Sequence, residues 1–140
     1  MDDFKILHQL IRLFKAKEEW QIRITGLSAK ELYVLEHIRE DNAWRFNDFA
    51  ENYRIKPSTL TNIIERLEKK GLVERIRSED DRKAVYLHCT SQGKEVVKKH
   101  IEEDQLFFCA MLSKLEPIEK EQFIRLVRRI TDTAELYQED

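Results

Sequence analysis

Residues 57–89 constrain the fold more than any other stretch of the chain. Pro57 suits a first helical position, where its missing N–H goes unused. Gly71 follows Lys69 and Lys70, the place where a left-handed residue commonly closes a helix. Between them Leu60, Ile63, Ile64 and Leu67 recur at helical spacing, so 57 to about 70 reads as a helix with one apolar face. Two β-prone runs follow at once, 72–76 and 84–89, joined by a polar loop. Alternation puts Val85, Leu87 and Cys89 on one face of this hairpin and Tyr86 and His88 on the other. The apolar face of this helix needs partners to bury it.

The remaining segments supply further helices. Phe4, Leu7, Ile11 and Phe14, flanked by Ile6 and Leu10, predict an amphipathic helix from 2 to about 22, ended by the turn at Thr25-Gly26. Ser28 and Glu31 form a capping-box pattern at the start of a helix over about 29–40, which turns Leu32, Leu35 and Ile38 inward. Asn47 and Asp48 suit the start of a short helix, about 48–53, that buries Phe49 and Ala50. Thr90 or Ser91 caps a helix to about 113. Glu116-Pro117 opens a last one with the stripe Phe123, Val127, Ile130, Ala134 and Tyr137. The expected class is mainly α (α+β): four helices, a β-hairpin, then two helices, with no repeats.

Three Gly and two Pro in 140 residues, 37% charged residues and a 41% hydrophobic fraction fit a helix-rich globular chain. The start, MDDFKILHQL, has neither the basic residues nor the apolar run of a secretory signal, and no apolar stretch approaches the ~18 residues of a membrane span. The expectation is therefore a cytoplasmic protein with no membrane partner. Cys89 and Cys109 have no Cys or His at metal-ligand spacing and read as small apolar residues. The histidines are scattered and the glycines form no phosphate loop, so the sequence points to no enzyme and no cofactor. His100 with Glu103 or Asp104 has a spacing that a metal could use, but a solvated helix face explains it more simply, and no metal site is assigned.

The net charge of −2 conceals a segregation. Residues 54–100 hold 12 Lys or Arg against 7 Asp or Glu, whereas the remainder holds 13 against 20. A basic face on an acidic body suits a polyanionic partner. On the 57–70 helix the residues left facing outward are Ser58, Thr59, Thr61, Asn62, Glu65, Arg66 and Lys69. Small hydroxyl residues at a helix N-terminus allow close approach to phosphates, and Asn can pair with an adenine edge through two hydrogen bonds. Composition alone is equally met by a solvated helix whose Ser and Thr only cap. The short preceding helix and the basic hairpin that follows favour a helix-turn-helix with a wing, and double-stranded DNA as partner.

The runs GLSAKELYVLEHI, FNDFAENYRIKPSTLTNIIERLEKKGLVER and DDRKAVYLHCTSQGKE, with the two C-terminal helices, resemble the MarR family of winged helix-turn-helix transcriptional regulators over essentially the whole chain. The resemblance implies a winged helix-turn-helix region, 28–92, and an α-helical dimerisation region made of 1–24 with 93–140. It implies a DNA-binding regulator, a repressor by preference, that binds a pseudo-palindromic operator as a homodimer. The expected DNA-binding residues are Lys56, Ser58, Thr59, Thr61, Asn62, Arg66, Arg77, Arg82 and Lys83, with Asp81 fixing the wing turn. Three departures stand out. Arg54 occupies a turn position where the family often has Gly, Cys89 stands where Leu is common, and the wing has Asp81-Arg82-Lys83 in place of Asp, any residue, Arg. Either Arg82 or Lys83 enters the minor groove in this reading, while Arg77 contacts the backbone. The three acids before Arg82, namely Glu79, Asp80 and Asp81, suit a hairpin turn and need not face phosphates.

Leu106–Leu112 is seven apolar residues in a row within a predicted helix, more than one small domain can cover, which calls for a second copy of the chain. Family members often respond to small aromatic or phenolic ligands, and Trp20, Tyr33, His37 and Trp44 are the residues that would line such a pocket, although core packing explains them as well. The oxidant-sensing branch fits poorly, because its reactive Cys lies in a first helix that here has none. The rival from another class is a winged-helix protein-interaction adaptor, which would need no charge segregation.

Overall fold

The computed structural model describes residues 2–40, 43–80 and 84–132. The chain falls into two units, residues 1–100 and 101–140.

Unit one starts with α1 (Asp3–Thr25), whose cap Asp2 accepts a hydrogen bond from the Phe4 N–H at 3.1 Å. The helix closes at Gly26, φ 70°, whose N–H reaches the Ile22 carbonyl at 2.8 Å. It runs three residues past the expected end, and in its last turn the Thr25 hydroxyl donates to the Gln21 carbonyl at 2.7 Å. Gln21 is the only buried residue of α1. Its amide lies 3.0 Å from His100 Nδ1 on α5 (Ser91–Leu112).

α2 (Ala29–Glu40), α3 (Phe46–Asn52) and α4 (Pro57–Lys69) form the core of the unit. Leu32, Leu35 and Ile38 of α2, Phe49 and Ala50 of α3, and Leu60, Ile63, Ile64 and Leu67 of α4 are all buried, as their spacing predicts. Each large side chain removed from water contributes about 1.5–3 kcal/mol before ordering costs are counted. α4 starts with Pro57 and gives way at Gly71, which has φ 74°.

The hairpin consists of β2 (Val73–Arg77) and β3 (Val85–Cys89), antiparallel with Val73 opposite Cys89 and Arg77 opposite Val85. Leu87 and Cys89 point into the core, while Tyr86 and His88 on the other face stay half-buried. A third strand, β1 (Trp44–Arg45), was not expected; it pairs Trp44 with Leu87 and Arg45 with Tyr86, so β3 becomes the middle strand. This strand also moves the start of α3. Arg45, not Asn47, is the capping position; it provides no side-chain cap, and Asn47 lies inside the helix.

Thr90, not Ser91, caps α5: its hydroxyl oxygen accepts from the Gly93 N–H at 3.0 Å and donates to the Gly71 carbonyl at 2.7 Å. With the Thr90 N–H on the Leu72 carbonyl at 3.1 Å, one residue fastens the end of α4, the start of β2 and the start of α5.

In unit two the rest of α5 leads to α6 (Pro117–Thr131), which opens with a capping box between Glu116 and Glu119. None of Leu106–Leu112 is buried, and Leu106 is 72% exposed. On α6, Ile118, Ile124, Leu126 and Ile130 are exposed as well, while Phe123 and Val127 are half-buried; Ala134 and Tyr137 lie outside the described residues.

Candidate nucleic-acid interface

The outward face of α4 follows from its inward one. With four apolar side chains buried on one side, Lys56, Ser58, Asn62 and Arg66 are left exposed, and Thr59 and Thr61 half-exposed. Lys56 is the capping residue, and its ammonium, a donor only, makes no side-chain cap bond. The Thr61 hydroxyl donates to the Pro57 carbonyl at 2.8 Å, which leaves its oxygen able only to accept. Just before α4, Arg54 has φ 52°, the one positive φ outside glycine among the described residues. This is the turn position where the sequence departs from a flexible residue, and Arg there carries the steric cost of Cβ in a left-handed conformation, about 1 kcal/mol.

Arg66 is not simply solvated. Its Nε lies 3.3 Å from Oε1 of Glu31, a carboxylate whose side chain is only 9% exposed. The second oxygen faces Lys70 Nζ at 3.7 Å, and Lys70 also donates to the Gly26 carbonyl at 2.6 Å. The reading of Ser28 and Glu31 as a capping box is therefore half right: Ser28 Oγ accepts from the Glu31 N–H at 3.2 Å, but the Glu31 carboxylate is turned to α4. A buried acid takes up a nearby base in preference to an exposed N–H because an unpaired buried charge is far costlier.

On the wing, Arg75 is held by Glu68 of α4, with Nη2 to Oε1 at 2.9 Å and Nε to the same oxygen at 3.2 Å. That hydrogen bond holds the guanidinium above its ordinary pKa and ties the hairpin to α4. Neither residue carries a local motif that would reveal the pairing. Arg77, the expected backbone contact, is exposed. Ser78 Oγ accepts from the Asp80 N–H at 3.3 Å, and Glu79 and Asp80 are exposed, which fits a turn made by side-chain bonding. Asp81, Arg82 and Lys83 lie outside the described residues.

Of the four candidate ligand-pocket residues, Tyr33 and His37 touch, and Trp44 joins them only through Tyr53. Tyr33 and His37 have ring centroids 4.4 Å apart, His37 and Tyr53 4.5 Å, and Trp44 and Tyr53 5.6 Å. Tyr53 also lies 4.5 Å from Phe49 and is the hub of the cluster, which sequence reading missed because it stands in a turn without periodicity. The Trp44 Nε1–H is buried with no acceptor among the described residues. Trp20 is on α1, 43% exposed, and makes no ring contact with the others among the described residues. An open cleft of about 200 Å³ lies elsewhere, lined by Arg45, Asn47, Thr61, Arg75 and Val85 among others, between α3, α4 and the hairpin.

Of the cysteines, Cys89 is buried, and burial raises its thiol pKa. Cys109 is exposed within the chain, against the expectation of a buried apolar role.

Comparison with known proteins places this arrangement. Residues 27–85 match the model of the MarR family. The transcriptional repressor MdtR of Bacillus subtilis is 26% identical over 110 residues, which cover 79% of this chain and 71% of that protein. The YusO protein of Bacillus subtilis has the same fold, with a TM-score of 0.81 at 22% identity over 94% of each chain. So does Streptococcus pneumoniae FabT, solved in complex with DNA, with a TM-score of 0.80 at 21% identity over 98% of this chain and 100% of that one.

Proposed function

We propose that this chain is a DNA-binding transcriptional regulator of the MarR winged helix-turn-helix type, a repressor that holds a pseudo-palindromic operator as a homodimer in the cytoplasm. The observation that carries the reading is the division of α4: four apolar side chains buried behind it, and Lys56, Ser58, Asn62 and Arg66 exposed in front. MdtR is named a repressor and FabT was solved on DNA, which supports the same role here.

In this reading α4 enters the major groove. Lys56 and Ser58 meet phosphates at the helix's positive end, Thr59, Thr61 and Asn62 face base edges, and Arg66 meets the backbone one turn further on. The wing follows the adjacent minor groove, with Arg77 on the backbone and Arg82 or Lys83 at the tip, where Asp81 shapes the turn. The proposed division of the chain is 28–92 for DNA and 1–24 with 93–140 for dimerisation. Support for the dimer comes from each unit separately: α1 exposes Phe4, Leu7 and Ile11, and unit two exposes Leu106, Phe108 and Ile130. Pairing two chains sets two recognition helices about 34 Å apart, one duplex turn. A small aromatic or phenolic effector that releases the DNA would act through the rings of Tyr33, His37 and Trp44, with Trp20 a more distant candidate.

Selecting bound fragments from a random duplex pool tests the proposal. Replacing Asn62 by Ala should then relax the selected sequence by about 1–3 kcal/mol at one position, while replacing Lys56 by Ala should weaken all duplexes alike and lower the salt dependence. A pool that yields no enriched sequence would refute specific operator binding and favour the adaptor.

A further inference from the structure

We infer that Glu31, on α2 and outside the face that meets DNA, is a positioning residue for DNA recognition: it holds the Arg66 guanidinium of α4 where a phosphate will lie. The inference rests on the reading of α4 as the recognition helix. Asn62, Arg66 and Lys70 stand four residues apart and so form one row along α4. Glu31 closes the far end of that row from another helix, with Oε1 3.3 Å from Arg66 Nε and Oε2 3.7 Å from Lys70 Nζ.

The burial is asymmetric. The Glu31 side chain is 9% exposed, that of Arg66 57%. A carboxylate this far from water is stable only beside positive charge, and here Oε2 has no hydrogen bond among the described residues, so the acid depends on the two bases for compensation. Arg66 meets Glu31 through Nε, the inner nitrogen of its fork, so that in this inference a phosphate takes the terminal nitrogens. Arginine's planar fork makes this double engagement possible, because one carboxylate can fix its orientation while a phosphate takes the opposite edge. A long exposed side chain otherwise loses rotamer freedom when it binds; Glu31 has already restricted it. Lys70 fixes the other end of the arrangement, since its bond of 2.6 Å to the Gly26 carbonyl ties the end of α4 to the end of α1.

The consequence runs against simple charge counting. Removing a negative charge near DNA should tighten binding through long-range electrostatics. If Glu31 positions Arg66, removing it should weaken binding. The experiment measures affinity against salt concentration for the full chain on a duplex selected from a random pool, with a random-sequence duplex of equal length as control. Glu31→Gln, Arg66→Ala and the double variant are each expected to lose about tenfold in affinity and about one unit of salt slope, and the double variant to lose no more than Arg66→Ala alone. Glu31→Asp keeps charge and burial but withdraws the carboxylate by one methylene, and is expected to bind more weakly than the unaltered chain with a reduced slope. Unfolding midpoints show whether each variant is folded under the assay conditions. Unchanged or tighter binding by Glu31→Gln or by Glu31→Asp overturns the inference, and so do losses from Glu31→Gln and Arg66→Ala that simply add. Failure of the unaltered chain to select any duplex would instead overturn the DNA-binding reading itself.

Discussion

Replacing Gly93 by Ala probes the joint where α4, the wing and α5 meet. A Cβ at this buried position would stand 2.3 Å from the Leu72 carbonyl oxygen, 2.8 Å from Cys89 Sγ and 3.2 Å from the Leu72 carbonyl carbon. The sulfur could turn aside, but the two Leu72 atoms are backbone and cannot. To admit the methyl group, the first turn of α5 must move off the start of β2. That movement strains the Thr90 N–H bond to the same Leu72 carbonyl and the Thr90 hydroxyl bond to Gly71. Overpacking costs about 1–3 kcal/mol and each weakened hydrogen bond about 1 kcal/mol, offset by about 1 kcal/mol from the better helix propensity of Ala. The net is a loss of about 2–4 kcal/mol, or very roughly 6–16 °C in Tm for a chain of this size. Urea unfolding at fixed protein concentration measures it, since assembly makes apparent stability depend on concentration. Adding Cys89→Ala should not restore the loss, because Leu72 is the obstacle. A Gly93→Ala variant as stable as the unaltered chain would show that α5 is not packed tightly against Leu72 at this joint.

Arg54→Gly should change stability by no more than about 0.5 kcal/mol, because relief of the left-handed strain of about 1 kcal/mol at φ 52° is largely offset by the added freedom of Gly in the unfolded chain; denaturation midpoints decide it, and a change well above that in either direction would contradict the reading. Cys89 should resist alkylation at neutral pH until the protein unfolds, and mass spectrometry of the labelled native protein checks this. Because burial raises the Cys89 thiol pKa in the fold, the stability it contributes is complete below the ordinary thiol pKa of about 8.5 and fades as pH rises through the higher folded value. Rapid labelling of Cys89 in the native state would count against its burial.

Local signals were legible in the sequence where one residue type has one physical use. Pro57 and Gly71 bracket α4, Gly26 closes α1, and the alternation in β3 sends Leu87 and Cys89 inward. The apolar face of α4 could be read residue by residue, and its outward face followed as the complement. Pairings between distant positions were not legible. Trp44–Arg45 is too short for any periodicity, and it becomes a strand only because β3 offers a free edge. Once that strand forms, the cap of α3 moves to Arg45, where nothing in the side chain announces it. Glu31 met a local pattern, the capping box, and the fold overrode it with two bases from α4. Tyr53, the hub of the aromatic cluster, is visible only when α2, β1 and α3 have come together.

In the proposed complex two copies of this chain grip one duplex through α4 and the wing. Sedimentation of the protein with a selected duplex, across a series of salt concentrations, measures both the stoichiometry and the ionic contribution. Two chains should sediment with each duplex, and the affinity should fall steeply as salt rises, in proportion to the phosphates neutralised. One chain per duplex, or binding indifferent to salt, would contradict it.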